Sequence, residues 1–298
     1  MSFFRRLFSF SLIQLVIELI FLAIIGVLAS FIVSMLNTSQ LIGQTIGESI
    51  LVVGVAATFL LARFWVERRP FAELGLSGRH LVRNLLLGFV LGLLLQGTTI
   101  GILALAGWYR ITSIAPAPVA VTLILQGLGI HLLVALFEEG VFRGILFRLL
   151  ERSLGSWIAI ILSALFFGLG HLLNPGATLF GALAIALEAG ILLGVAYMLT
   201  RSLWLAIGIH WAWNFFEGPF FGATISGVDP SGKTVITPTI SGPALWTGGN
   251  FGPEAGVVAL LACLVASAIF LILIVKRKQV IVPSWLRSRS SRAAAANR

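Results

Sequence analysis

Residues 255–275, AGVVALLACLVASAIFLILIV, run for 21 positions without a charge or a proline. A helix needs about 20 such residues to cross the hydrocarbon of a bilayer. Seven further runs resemble it: Leu7–Leu36, Leu41–Ala62, Asn84–Gly107, Val119–Phe137, Trp157–Leu173, Leu179–Leu199 and the shorter Leu203–Phe216. Long unbroken apolar runs with few prolines read as helices, whereas a membrane barrel gives a weaker alternating pattern. The chain of 298 residues is 58% hydrophobic and 10% charged, with a mean hydropathy of +1.04. Soluble domains carry about 25% charged residues, so a water-soluble globule and a disordered chain are both excluded. The expected fold is all-α: a polytopic bundle of about eight transmembrane helices, with the fourth continuing past its apolar part.

The charge supports this reading. A net +9 could suit nucleic acid, but in so apolar a chain Arg and Lys collect on cytoplasmic loops; no nucleic-acid partner is expected. With eight spans and an inner N-terminus, every basic residue except Arg110 and Lys233 falls on an inner segment. Both termini are therefore expected in the cytoplasm, in a multi-pass protein of the inner (plasma) membrane. The first run is too long for a signal-peptide core and reads as a retained helix. Glu67–Arg83 mixes Arg with Phe71, Leu74, Leu76 and Leu81, which suits an amphipathic stretch on the inner surface. Four parts follow: 1–118, three helices with that linker; 119–216, a core; 217–254, an outer loop with five of the ten prolines; and 255–298, the last helix and a basic, disordered tail. Cys263 is the only cysteine, so there is no intrachain disulfide and no cysteine-rich metal site. Glycine pairs such as Gly88/Gly92, Gly97/Gly101 and Gly190/Gly194 suit close helix packing.

Ionisable side chains inside a bilayer are costly and are functional candidates by default. Eight are candidates: Glu18, Glu48, His131, His171, Glu188 and His210 within the runs, and Glu138 and Glu139 where the fourth continues past its apolar part. Glu138 and Glu139 point about 100° apart on a helix and cannot do the same work. Glu139 stands four residues before Arg143, the favourable order for a helical ion pair. That leaves Glu138 for another task, unless both are snorkelling carboxylates. Glu138 lies 15 residues before Ser153, and His171 lies 15 after Ser156. Both then sit roughly 22 Å from the hairpin tip between them, at one level in antiparallel helices. A packing histidine is the alternative for His171. His210 and Asn214 share one helix face, suited to a metal, to an oxyanion, or to an interhelical hydrogen bond. His131, two turns before Glu138, suits a supporting role; Glu188 could reach the same depth as a further carboxylate. Glu18 and Glu48 carry no motif and read as packing or lateral-gate residues.

Together, Glu138-Glu139-x-x-x-Arg143, Phe167-x-x-x-His171 and His210-x-x-x-Asn214 resemble the CPBP family. These are type II CAAX prenyl endopeptidases and bacteriocin-processing or self-immunity proteins, also called ABI. The resemblance covers roughly Val119–Phe216, and Thr200-Arg201-Ser202-Leu203-Trp204 looks like the family's approach to its last motif. It implies an eight-helix bundle with an active site in the inner half of the membrane. Glu138 would activate a water with help from His171, and Glu139 with Arg143 would be its structural or electrostatic partner. His210 and Asn214 would be metal ligand and oxyanion donor, or both oxyanion donors. A Zn²⁺ or other divalent ion on Glu138, His171 and His210 would lower the pKa of bound water to about 7; a Glu/His pair alone is the alternative, since no His-Glu-x-x-His pattern is present. No Ser/His/Asp pattern offers a covalent nucleophile. The expected activity is an intramembrane metallo-endopeptidase acting on a membrane-associated peptide or protein. A non-catalytic immunity or scaffold protein is the alternative, and a coupled transporter is a weaker one without internal repeats to support it.

Overall fold

The computed structural model describes residues 10–36, 38–230 and 233–286. Arg5, Arg6, the start of the first run and the tail from Arg287 onward, all used above, lie outside the described residues.

The elements are α1 (Ser11–Met35), α2 (Gln40–Leu61), α3 (Leu81–Leu105), β1 (Tyr109–Ile114), α4 (Ala117–Glu139), α5 (Arg148–Leu154), α6 (Ser156–Gly170), α7 (Leu179–Ile185), α8 (Ile191–Thr200), α9 (Leu203–Phe215), β2 (Ile236–Ile240), the short α10 (Ala244–Thr247) and α11 (Val257–Lys276). Four π-helical turns join or extend them: Ala62–Val66 after α2, Gly140–Phe147 between α4 and α5, Ala186–Gly190 between α7 and α8, and Phe216–Phe220 after α9. The fourth run thus continues as one helix, Ala117–Leu154. The chain is an all-α polytopic bundle, and among the described residues seven helices are long and apolar enough to cross a membrane.

Each outer helix is inside-out compared with a soluble one. On α1 the stripe Gln14, Glu18 and Leu22 is buried, while Val16, Ile20, Ile24, Val27 and Phe31 are exposed. The spacing of four keeps the polar groups on one inward face, and the apolar face is left for acyl chains. The run 203–216 behaves differently. Its helix α9 has 13 residues, about 20 Å at 1.5 Å each, and is buried along nearly its whole length. It is the centre of the bundle rather than a lipid-facing span.

Glycine lets α3 reach it. A Cβ on Gly88 would stand 2.3 Å from the Leu205 carbonyl oxygen, and one on Gly208 2.2 Å from that of Leu85. Gly97 and Gly101, expected to pack likewise, have nothing within 4 Å of such a Cβ; α3 has already diverged from α9 at that height.

The segments after α2, between α5 and α6, before α9 and after α11 meet at one end of the bundle. There the Arg148 guanidinium donates to both oxygens of Glu67, at 2.6 and 2.7 Å, and Arg152 donates to the same carboxylate. Glu18 stands 3.9 Å from Arg148, so it belongs to this network and not to a gate. Burial pushes the Glu67 carboxyl up, but the Arg148 hydrogen bonds and charge outweigh it and hold the group below its ordinary range. Arg201 binds Glu151 and the Gln279 carbonyl, each at 2.5 Å. Ile281 exchanges backbone and side-chain bonds with Ser156. Residues 279–286, expected within a disordered tail, are therefore docked on the hairpin. At the opposite end β1 and β2 pair antiparallel, and Tyr109 donates to the Phe221 carbonyl at 2.7 Å. The 217–254 stretch is no plain loop, because Glu217 and Glu254 turn inward and are buried.

Replacing Arg148 by Ala takes the nearest cation from buried Glu18 and leaves Glu67 with Arg152 alone, and removing one partner of a buried pair costs about 3–5 kcal/mol. Thermal unfolding, read by a bulky maleimide reaching Cys263 (1% exposed), is expected to move sharply downward. Because folding lowers the Glu67 pKa, its contribution is complete above the ordinary carboxylate range and is lost as pH falls through the lower folded value. The gap between wild type and Arg148→Ala should narrow accordingly in acid.

Candidate functional site

Glu138 and Glu139 end α4 where the helix widens into the Gly140–Phe147 π turn. Glu139 is fully buried, and its Oε1 accepts from Arg143 Nη1 at 2.7 Å, the pairing its spacing predicts. Arg143, 1% exposed, also donates through Nη2 to the carbonyls of Ala189 and Gly190, at 3.0 and 3.2 Å. Its guanidinium carbon lies 4.4 Å from the centre of the Phe167 ring. A guanidinium is tolerable in so dry a place because a carboxylate, two carbonyls and a π face meet it together.

The same Glu139 oxygen holds His210. Its distance to His210 Nδ1 is 2.9 Å, whereas His210 Nε2 stands 3.8 Å from Glu138 Oε2. The two adjacent carboxylates therefore take opposite edges of one imidazole. With the carboxylate as acceptor, Nδ1 carries the proton and Nε2 is turned to Glu138. His171 is tied in a related way: its Nδ1 bonds the Phe167 carbonyl at 2.8 Å, which leaves the Nε2 edge to the cavity. Phe167 is the common wall, its ring centre 4.9 Å from that of His171 and 6.2 Å from that of His210.

These groups surround a cavity of about 300 Å³. Glu138, His171, His210 and Asn214 line it, so the three motif stretches do meet, with Glu139 and Arg143 behind them. His131 and Glu188 line it as well. Glu188 does not join Glu138; its charged neighbours are Glu254 and Glu217. Glu48, placed above among packing or gate residues, stands within electrostatic reach of Glu138. Glu217 and Glu254 escape sequence reasoning because they lie in what reads as an outer loop. The available signal was acidic residues beside Pro219 and Pro253, where the chain turns back. Burial pushes the Glu254 carboxyl up, against the Ser226 hydrogen bond and the His171 charge. The exposed rim, with Gln126, Val228, Asp229 and Lys233, lies at the β1–β2 end.

The donors suit a divalent cation chemically: two imidazole nitrogens with their far edges tied, and a buried Glu138 oxygen without a hydrogen-bond partner. Their placement does not form a ready-made cage. Among the described residues no three His, Cys, Asp or Glu side chains gather closely enough to hold a metal ion.

Residues 120–216 match the family model described as type II CAAX prenyl endopeptidase, Rce1-like. The match covers less than half of the chain and shows similarity to that family. It contains all seven named residues of the three motifs, and the family is one of proteases. A comparison with curated proteins gives no match. The family match and the apolar helices together indicate a multi-pass membrane protein.

The unequal surroundings of the two glutamates give a direct check. Glu139→Ala leaves Arg143 charged and buried without its carboxylate, and is expected to cost about 3–5 kcal/mol. Glu138, with 22% of its side chain exposed, makes no such pair, and Glu138→Ala should shift stability by only about 0.5 kcal/mol. Thermal exposure of Cys263 in the two variants distinguishes them.

Proposed function

We propose that the protein is an intramembrane endopeptidase in which Glu138 and His210 activate a water for attack on a peptide bond. The observation that supports this most is the pair of distances at His210: 2.9 Å from Nδ1 to Glu139 and 3.8 Å from Nε2 to Glu138. A gap of that size between a carboxylate oxygen and an imidazole nitrogen leaves both within hydrogen-bond reach of one inserted water. Glu138 takes a proton from the water as its oxygen attacks the carbonyl carbon. The carbonyl oxygen gains the charge and is met by the Asn214 amide N–H. Glu138 then returns the proton to the leaving nitrogen, the C–N bond breaks, and the remaining proton of the water passes from the new carboxyl to the amine, leaving a carboxylate and an ammonium. Glu139 is a positioning residue: it keeps the His210 tautomer and stabilises positive charge on the ring, and Arg143 holds Glu139 in place.

A divalent ion on Glu138, His171 and His210 would supply a more acidic water. It would require the three groups to draw together from their present placement. The substrate is a membrane-associated peptide or protein. With the arginine-rich end in the cytoplasm of a plasma-membrane protein, the rim opens on the other face, so substrate would arrive from outside. That differs from an active site entered through the inner half of the bilayer.

Glu138→Ala is expected to insert and fold as wild type does and to lose cleavage of membrane-anchored peptides by at least about 10³-fold. Cleavage retained by this folded variant would overturn the role of Glu138. Unchanged biological activity on replacing Glu138, His171 and His210 would favour a peptide-binding immunity or scaffold protein instead. Metal analysis of wild type against His171→Ala and His210→Ala, with cleavage followed in the same samples, tests the ion: stoichiometric metal lost in both variants supports it.

A further inference from the structure

Glu188 and Glu254 line the same cavity as the Glu138–His210 pair, and with Glu217 they form a second group of carboxyls that the proposed reaction does not use. Glu188 comes from the Ala186–Gly190 π turn, Glu217 from the turn after α9, and Glu254 from the turn before α11. Glu217 Oε1 accepts the Glu254 backbone N–H at 3.2 Å, and Glu254 Oε1 accepts from the Ser226 hydroxyl at 2.5 Å. Glu188 is 1% exposed, lines the cavity, and its Oε2 has no hydrogen-bond partner. Glu217 Oε2 is buried and unpartnered as well.

The charge around this group is one-sided. Among the described residues no Lys or Arg forms an ion pair with Glu188, Glu217 or Glu254, and the His171 ring stands within electrostatic reach of Glu254. The nearest buried guanidinium, Arg143, is already matched by Glu139, and Lys233 stands out at the exposed rim. The wall around Glu188 is apolar, with Ile185, Leu192, Leu193 and Trp213. An apolar wall that holds buried carboxyl oxygens without donors suits one kind of side chain: a long aliphatic stem with a cationic head.

We infer that the Glu188–Glu254 recess is a specificity subsite that takes a Lys or Arg side chain of the peptide lying across Glu138 and His210. This rests on the endopeptidase reading for its place in catalysis, but the recess itself binds whether or not cleavage follows. Buried carboxyl oxygens left without a hydrogen-bond donor by an apolar ligand penalise it, so the site selects by rejection as much as by attraction. The cation also enters beside the reacting carbonyl, which fixes which peptide bond is presented.

The test uses full-length protein in nanodiscs carrying Glu138→Ala, so that binding is read without turnover. Fluorescent acylated host peptides of Ala and Leu carry one Lys, or one norleucine of equal length, at each position in turn. At one position the Lys peptide is expected to bind at least about tenfold tighter, as one charge-assisted bond allows. Glu188→Gln or Glu254→Gln, each added separately, should bring that ratio within about twofold. Two separate variants guard against one that misfolds, and the Lys/norleucine ratio without either is itself decisive. Equal binding at every position, or a preference that survives both substitutions, overturns the subsite. A clear Lys preference in a wild-type protein that cuts none of these peptides would leave the subsite standing and count against the peptidase reading alone.

Discussion

Arg143 is 1% exposed in the middle of an apolar bundle, and an unmatched guanidinium there would cost several kcal/mol. Its neighbours are arranged to prevent that. Glu139 comes from its own helix, Phe167 from α6, and the Ala189 and Gly190 carbonyls from the turn between α7 and α8. Through the shared Glu139 oxygen the arrangement extends to His210 on α9. One buried charge thus fixes the mutual placement of four segments, because each must supply its group at the right distance. Glu139 is used up in this work. Glu138, one residue earlier and turned toward the cavity, is left for chemistry.

Three of the four π turns border this cavity. Glu139 precedes one, Glu188 lies inside another, and Glu217 inside a third. A π turn adds a residue to the local repeat and rotates everything after it relative to a regular helix. Such turns persist where the surroundings compensate for the poorer backbone geometry, often at functional sites. Here each one brings a carboxyl, or the residue beside it, toward a space that regular helices would have filled with apolar side chains. At Gly140 a Cβ would come within 2.5 Å of Val55, so the widened turn also needs a glycine to lie against α2.

Much of this was legible in the sequence, and the reasons are local. The four-residue spacing of Glu139 and Arg143 specified their pairing. Counting from the 153–156 hairpin put Glu138 and His171 at one level, since antiparallel helices share a rise per residue. The limits are equally physical. Periodicity at 3.6 does not reveal π turns, so the shared grip of Glu139 on Arg143 and His210 could not be read from spacing. Hydropathy assigned 217–254 to the outside because it is rich in Pro and Gly, yet its glutamates fold back under the rim. Glu18 looked isolated because its partners, Arg148 and Glu67, are distant in sequence and meet it only through helix packing. The docking of Gln279 and Ile281 depends on backbone and hydroxyl contacts with Leu199 and Ser156, which composition does not encode.

The division of labour at the site depends most on Glu139, rather than Glu138, holding His210 by its Nδ1 edge. Nitrogen NMR on protein labelled at histidine reads this directly, and with four histidines in the chain single His→Gln variants assign the signals. A His210 ring protonated at Nδ1, which loses that state in Glu139→Gln and keeps it in Glu138→Gln, is the predicted result. A His210 tautomer indifferent to Glu139 and altered by Glu138→Gln would contradict the division of labour between the two carboxylates.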